Sequence, residues 1–121
     1  MTIGEFSKKT GMSTYTLRYY ENKKLIVVLR DDKGRRVYTE KDIEWVQFIK
    51  RLKETGMKLS EIQKYALLRY EGEKTMSERL ELLEKHYHFV VEQQKKWDMY
   101  LQNLKQKIIW YEKEIQKNKT P

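Results

Sequence analysis

The stretch TLRYYENKKL, residues 16–25, sets an arginine directly before two tyrosines and follows them with an acid and two lysines. Cationic and aromatic side chains so close together suit three tasks, which are reading a nucleic acid, stacking on a small ligand, or filling a core. A second basic cluster follows, with Arg30, Lys33, Arg35 and Arg36 within seven residues. The sequence has no cysteine, no glycine-rich phosphate loop and no activated nucleophile, so an enzyme is not expected.

The charge of the chain favours the first of these tasks. Its 121 residues carry a net charge of +8, and the isoelectric point is about 9.5. Residues 1–70, called the head below, hold 16 lysines and arginines against 9 acidic residues, whereas residues 71–121 hold 10 against 9. A strongly basic head is typical of a protein whose partner is a polyanion.

Metal and membrane sites are not indicated. His86 and His88 are the two histidines of the chain, and residues two apart on a helix point away from each other. With no cysteine either, neither a metal nor another cofactor is expected. No apolar run approaches the roughly 20 residues that span a bilayer, and the N-terminus lacks the apolar core of a signal peptide. We expect a cytoplasmic protein with no membrane partner.

Capping residues predict where the helices begin. A threonine followed three residues later by an acid, the pattern of a capping box, occurs three times, and a serine N-cap occurs once. These signals are Thr2 with Glu5, Thr39 with Asp42, Thr75 with Glu78, and Ser13. Together with the apolar spacing, they predict helices over about 3–9, 14–21, 40–52, 59–69 and 76–116.

A short hairpin is predicted between the second and third helices. The β-branched run 26–29 and the segment 35–38 flank the turn Asp-Asp-Lys-Gly, a pattern typical of two strands around a turn that ends in glycine. A helix, a turn at Gly11, a second helix and a basic hairpin make a winged helix-turn-helix. In that arrangement the second helix enters the major groove and the hairpin lies along the phosphate backbone.

From residue 76 onward, apolar residues recur at alternating spacings of four and three. Such a repeat predicts a coiled coil, and a helix over 76–116 would be roughly 60 Å long. The head alone cannot bury so long a stripe, so a partner helix is expected. Gln94 either pairs with its symmetry mate to fix the register or marks a loosened point in the seam. The residues predicted to mediate dimerisation are Leu80, Leu83, Tyr87, Val90, Gln94, Trp97, Leu101, Leu104 and Ile108.

The predicted fold class is therefore mainly α. It comprises a winged helix-turn-helix DNA-binding head over residues 1–70, with a small β-hairpin wing, and a connector over 71–75. A C-terminal dimerisation helix follows over 76–117, and residues 118–121 form a tail.

The faces of the second helix divide the opening cluster. At 3.6 residues per turn, one set of side chains points outward, another inward, and one lies at the boundary. The three sets are Thr14, Tyr15 and Arg18; Leu17 and Tyr20; and Tyr19. We predict that Arg18 faces the groove, and the alternative is a surface salt bridge from Arg18 to Glu21 or Glu5.

Three stretches of the head resemble the MerR family of bacterial transcription regulators. They are MTIGEFSKKTGMSTYTLRYYENKKL, GRRVYTEKD and FIKRLKETGMKLSEI, of which LRYYE is the most specific part. The resemblance implies a homodimer, joined by an antiparallel coiled coil, that binds a pseudopalindromic promoter spacer between the two hexamers contacted by RNA polymerase. It also implies that the dimer distorts the spacer so that the hexamers realign. Because the sequence ends at Pro121, we expect a short form without a C-terminal ligand domain.

Carried over by position, the resemblance implies that Tyr15 and Arg18 face bases or nearby phosphates. It implies backbone contacts from Tyr19, Arg36 and Tyr38, and from Lys58 at the start of the fourth helix. The DNA-binding residues so predicted are Thr14, Tyr15, Arg18, Tyr19, Arg35, Arg36, Tyr38 and Lys58. The sequence departs from the family pattern at Lys24, where a helix-ending glycine is usual. It departs also at Val27 and Val28, where prolines are common, and at Arg35, where a tyrosine is typical.

Two other interpretations remain open at this point. One is an interaction adaptor, a coiled-coil protein whose basic head binds RNA or an acidic protein. The other concerns aromatic residues from 70 onward, which either cover the dimer and the head or line an apolar pocket for a small-molecule effector. These are Tyr70, Tyr87, Phe89, Trp97, Tyr100, Trp110 and Tyr111.

Overall fold

The computed structural model describes residues 1–119, which form five α-helices, one short hairpin and a 3₁₀ turn. Two compact units divide the chain, Met1–Glu84 and Lys85–Pro121. The last two residues of the tail predicted over 118–121 lie outside the described residues. In order, the elements are α1 (Ile3–Thr10), α2 (Thr14–Asn22), β1 (Leu29–Arg30), β2 (Arg36–Val37), α3 (Glu40–Glu54), α4 (Leu59–Glu71), the 3₁₀ turn (Glu73–Thr75) and α5 (Met76–Lys119).

Local caps start the first three helices where the sequence predicted them. In α1 the amide of Glu5 donates to the Thr2 hydroxyl at 3.1 Å, and the amide of Thr2 donates to the Glu5 carboxylate at 3.2 Å. The hydrogen bond from the Thr2 amide lowers the pKa of Glu5. The Ser13 side chain caps α2 by accepting from the Thr16 amide, and at the start of α3 the amide of the N-cap residue Thr39 donates to the Asp42 carboxylate at 2.9 Å. These predictions are confirmed. The sequence could indicate them because a cap joins residues within one turn of helix.

The core of the first unit lies between α1, α2, α3 and α4. Side chains from each helix are fully enclosed, and Leu17 and Tyr20 fix the inward face of α2, as predicted. Burial raises the pKa of Tyr20, and the charge of Glu54 raises it further. The apolar side chains buried most completely are Phe6, Leu17, Leu25, Ile26, Val46, Ile49 and Ile62.

A left-handed residue ends α2. Lys24 has a φ of 62° and is the one residue other than glycine with positive φ among those described. The amide of Leu25 donates to the Tyr20 carbonyl at 2.9 Å, and the Lys24 amide donates to the Glu21 carbonyl at 3.0 Å. This pair of bonds defines a Schellman motif, which normally places glycine where Lys24 stands.

The first strand of the hairpin lies later in the chain than predicted. β1 begins at Leu29, and the β-branched run 26–29 is mostly an irregular segment. Leu25 and Ile26 are buried in the core, and the indole of Trp45 donates to the Leu25 carbonyl at 2.9 Å. The amide of Val27 donates to the Tyr70 hydroxyl at 3.1 Å. These bonds satisfy backbone groups that a strand would have paired.

The predicted hairpin turn is present around Gly34. Leu29 pairs with Val37 and Arg30 with Arg36, antiparallel. The Gly34 amide donates to the Asp31 carbonyl at 3.0 Å, and Gly34 has a φ of 78°. A type I turn followed by a left-handed glycine closes a hairpin of this length.

The start of α5 is organised differently from the predicted capping box. Thr75 ends the 3₁₀ turn, and its hydroxyl is buried within hydrogen-bond distance of the Leu68 and Gly72 carbonyls. Arg79, not Glu78, reaches Thr75, with its Nε donating at 3.1 Å. The prediction of a Thr75–Glu78 box was wrong because Thr75 is engaged by α4, a partner that local spacing cannot indicate.

The long helix α5 spans 44 residues, and none of its side chains is fully buried. The 4–3 repeat leaves a continuous apolar stripe, of which Leu80, Trp97 and Leu101 are each more than half exposed. Leu83 packs against the core of the first unit. Among residues 1–119, no helix carries an apolar stretch of the length that a membrane crossing requires.

Candidate nucleic-acid interface

The outward face of α2 presents an arginine and a tyrosine at its centre. The burial of Leu17 and Tyr20 fixes the rotation of the helix, so that Tyr15 is 79% exposed and Arg18 also faces solvent. Thr14, at the first position of the helix, is half-buried. The helix therefore offers Arg18 and Tyr15 to a partner, in the arrangement that the sequence predicted for them.

Arg18 is not held by a carboxylate. In the part of the chain that the structure describes, Arg18 makes no ion pair, and both partners considered from the sequence are engaged elsewhere. Glu5 belongs to the cap of α1, and Glu21 accepts from two wing arginines. The guanidinium of Arg18 thus keeps its five donors for a ligand, and two of them match the acceptor pair of a guanine edge.

Tyr19 lies at the boundary of α2 among lysines. It is half-buried, its ring lies 6.4 Å from that of Tyr20, and the ammonium groups of Lys23 and Lys53 lie 5.8 and 5.5 Å from its centroid. Lys53 is not among the DNA-binding residues predicted from the sequence. A basic last turn of α3 was visible in the sequence, but its proximity to α2 depends on how the helices pack.

The wing holds its two consecutive arginines in different ways. The Nε of Arg35 donates to Asp31 at 3.0 Å, and the Arg35 side chain is 70% exposed. The Nε of Arg36 donates to Glu21 at 3.1 Å, and the Arg36 side chain is 27% exposed. A hydrogen bond from the Arg35 amide is the main cause that lowers the pKa of Asp31. Both guanidinium groups are anchored on the protein side.

The predicted backbone contact of Tyr38 does not agree with its position. Tyr38 is 2% exposed, and its ring stacks on Phe6 with the centroids 4.3 Å apart. Within residues 1–119, its hydroxyl is buried and finds no hydrogen-bond partner, and burial raises its pKa. Phe6 takes up the ring because the wing folds back over α1, where the Tyr38 amide donates to the Met1 carbonyl at 2.8 Å. Tyr38 is therefore a core residue.

Lys58 stands at the N-terminus of α4. It occupies the N-cap position in extended conformation, it is exposed, and its side chain does not cap the helix. The first turn of α4 thus combines an ammonium group with helix amides, and both favour an anion.

Three contacts bring these side chains around α2. Glu21 joins its end to the wing, and Tyr19 joins it to Lys53 of α3. The side-chain Nε2 of Gln63 in α4 donates to the Lys23 carbonyl at 3.0 Å. Helix α2, with Arg18 outward, is thereby flanked by cations from the wing, α3 and α4. No group of three or more histidine, aspartate or glutamate side chains that would hold a metal is found in residues 1–119.

Comparison with known proteins identifies the family. Residues 1–68, more than half of the chain, match the model of the MerR HTH family regulatory proteins. The chain belongs to the MerR family. Residues 43–107 also match the model described as MerR, DNA binding. A MerR-family chain is a DNA-binding transcriptional regulator and not an enzyme, so the predicted function class is confirmed.

Individual relatives agree with the MerR assignment. An HTH-type transcriptional regulator of Haemophilus influenzae is 37% identical over 113 residues, which cover 93% of this chain and 84% of that protein. The regulator AdhR of Bacillus subtilis is 39% identical over 69% of this chain and 60% of its own length.

Solved structures agree as well. HiNmlR, described as a MerR family regulator lacking the sensor domain and bound to promoter DNA, superposes with a TM-score of 0.82 at 37% identity, covering 93% of this chain and 90% of HiNmlR. A putative MerR family regulator from Listeria monocytogenes superposes with a TM-score of 0.85 at 32% identity, covering 89% and 83% of the two chains. The predicted mainly helical fold, with helix-turn-helix, hairpin and long C-terminal helix, is confirmed.

Proposed function

We propose that the protein is a homodimeric, sequence-specific regulator that binds a pseudopalindromic promoter spacer and distorts it to control transcription. The observation that carries this proposal is the outward Arg18, which makes no ion pair within residues 1–119, on a helix whose opposite face is packed into the core. Family membership supports the regulatory role, and HiNmlR, the relative bound to promoter DNA, supports the choice of ligand. Such a protein works in the bacterial cytoplasm, with RNA polymerase on the same promoter.

Base recognition is assigned to α2. Arg18 lies at the centre of the helix and Tyr15 one turn earlier, so both reach the floor of a major groove when the helix enters it N-terminus first. Thr14 lies at the entry and suits a neighbouring phosphate. Because each good bidentate contact is worth roughly 1–3 kcal/mol of discrimination, Arg18 is expected to carry most of the sequence preference.

Phosphate contacts are assigned to the flanking cations and to Tyr19. Arg35 and Arg36 contact the phosphate backbone from the wing, and Lys58 contacts it from the start of α4. Lys53, which the structure adds to this set, lies against Tyr19 and widens the basic surface. These contacts give affinity for any duplex and fix the register in which Arg18 meets the bases.

Dimerisation is assigned to α5. A contiguous apolar stripe of this length, on a helix with no fully buried side chain, calls for a partner, and a second copy matches the 4–3 repeat along its whole length. The proposed organisation is a DNA-binding head over 1–70, a connector over 71–75 and a dimerisation helix over 76–117, pairing as an antiparallel coiled coil. Two copies also supply the two heads that a pseudopalindrome requires.

Footprinting tests the proposal, with the region upstream of the protein's own gene included. We expect one protected element and affinity that falls with salt by about 0.9 log units per log unit of salt for each phosphate neutralised. Arg18→Ala should abolish the preference for that element, whereas Arg36→Ala should weaken every duplex alike. Lys95→Ala, which removes one charge from an exposed pair on α5, is the control. Absence of any protected element, or preference for structured RNA in the same titration, would refute the proposal.

A further inference from the structure

Glu21 joins the recognition helix to the wing through two arginines. Its Oε1 accepts from Arg30 Nη2 at 2.7 Å, and its Oε2 accepts from Arg36 Nε at 3.1 Å. Both oxygens of one carboxylate are thus used, and the Glu21 side chain is only 23% exposed. Arg30 and Arg36 face each other across the two strands of the hairpin, so a single residue of α2 fixes one pair of the wing.

The bonds to Glu21 leave particular donors of Arg36 free. Because Glu21 takes the Nε of Arg36, the two terminal amino groups remain, and they form the fork that meets two oxygens of one phosphate. Arg35 is held in the same manner, with its Nε on Asp31. Arg30 is used differently, since one terminal nitrogen binds Glu21 and the other lies 3.4 Å from the Gly34 carbonyl. Arg30 therefore stabilises the hairpin, whereas Arg36 keeps its two terminal nitrogens for a ligand.

We propose that Glu21 is a positioning residue for DNA binding, which orders Arg36 directly and the wing through Arg30 before the duplex arrives. This inference rests on the proposed function, because it concerns the same surface. The effect of Glu21 on DNA affinity is thus opposite in sign to that expected from simple electrostatics, since a carboxylate near phosphates repels them. The two arginines that Glu21 binds offset that repulsion, and long side chains that are already ordered lose little rotamer freedom on binding.

The test is the affinity of Glu21→Gln for duplex DNA. Glutamine keeps the shape of the side chain and removes its charge. We expect binding weaker by roughly three- to tenfold, because the arginines must then be immobilised when the complex forms. Glu44→Gln removes the same charge from an exposed position on α3 and should bind as the parent protein does, or slightly more tightly. Circular dichroism and melting temperatures establish that each variant is folded.

A double-mutant cycle separates positioning from a general structural role. In an Arg30→Ala/Arg36→Ala background, Glu21 has nothing to position, so Glu21→Gln should no longer weaken binding and should strengthen it slightly through the lost charge. Arg36→Lys gives a second measurement that leaves Glu21 intact, and it should weaken binding although the positive charge is retained.

Three results are decisive. Equal or tighter binding by Glu21→Gln in the otherwise unchanged protein would overturn the inference, and so would a weakening that persists without the two arginines. Failure of the parent protein and of Glu44→Gln to bind any duplex would instead overturn the proposed function.

Discussion

Lys24 holds the chain in a conformation that suits glycine, and its replacement tests how the structure ends α2. A left-handed residue with a Cβ atom costs roughly 1–2 kcal/mol relative to the right-handed region. Glycine avoids that cost but brings a more flexible unfolded chain, which costs about 0.4–1 kcal/mol. The difference leaves a gain of about 0.5–1 kcal/mol in the free energy of unfolding for Lys24→Gly.

Nothing else in the surroundings of Lys24 offsets this gain. The side chain is exposed, so its removal leaves no cavity. Within the described residues it makes no ion pair, so no such contact is lost. The hydrogen bonds of the Schellman motif run through the backbone of Lys24 and Leu25, and glycine retains them. For a domain of this size, the gain corresponds to a melting temperature higher by about 2–6 °C.

The measurement is chemical denaturation of the full chain at one fixed protein concentration, because dimerisation makes stability depend on concentration. Lys24→Ala removes the same charge but keeps a Cβ, so its stability should stay near that of the parent. Lys23→Gly makes the same exchange one residue earlier, where φ is −81°. Lys23→Gly relieves no left-handed backbone strain and should be less stable than the parent protein. If Lys24→Gly were no more stable than Lys24→Ala, the assignment of backbone strain to Lys24 would be refuted.

Four further predictions follow from the same structure. Tyr38→Phe should leave DNA affinity unchanged and keep or raise the free energy of unfolding by up to about 1–2 kcal/mol, measured by urea denaturation, because it removes a buried hydroxyl without a partner. Trp45→Phe should lower that energy by about 1–2 kcal/mol, because the Leu25 carbonyl loses its donor. Trp97→Asp should shift the protein towards monomer in light scattering, whereas a dimer that persisted would contradict the proposed seam. The pKa of Asp31 is lowered in the folded protein, so Asp31 contributes stability above its unfolded pKa of about 3.8 and loses that contribution as pH falls through its folded pKa. Asp31→Asn should therefore make the unfolding followed by circular dichroism depend less on acid pH.

Features fixed within one turn of chain were predictable. The capping bonds at Thr2, Ser13 and Thr39 join residues three apart, so the sequence alone placed the starts of α1, α2 and α3. The rotation of α2 was equally accessible, since the burial of Leu17 and Tyr20 follows from helical periodicity.

Features decided by distant partners were not predictable. The run 26–29 has the composition of a strand, but an irregular segment that enters a core needs the same apolar residues. The bonds from Trp45 to the Leu25 carbonyl and from the Val27 amide to Tyr70 distinguish the two. Thr75 has the sequence context of an N-cap, yet the carbonyl of Leu68 engages its hydroxyl. Lys53 joins the candidate surface through the packing of α3 on α2. In each case the deciding partner lies elsewhere in the sequence.

Tyr38 differs from these cases, because the sequence contained a signal that went unused. Side chains alternate between the two faces of an extended segment, so Arg36 and Tyr38 share one face and Arg35 lies on the other. The structure shows this alternation, since Tyr38 stacks on Phe6, Arg36 reaches Glu21, and Arg35 is the most exposed of the three. Treating all three as DNA contacts by position disregarded the alternation. We therefore expect Arg35 and Arg36 to contact DNA by different routes, Arg35 from the outer face of the wing and Arg36 through terminal nitrogens that Glu21 leaves free.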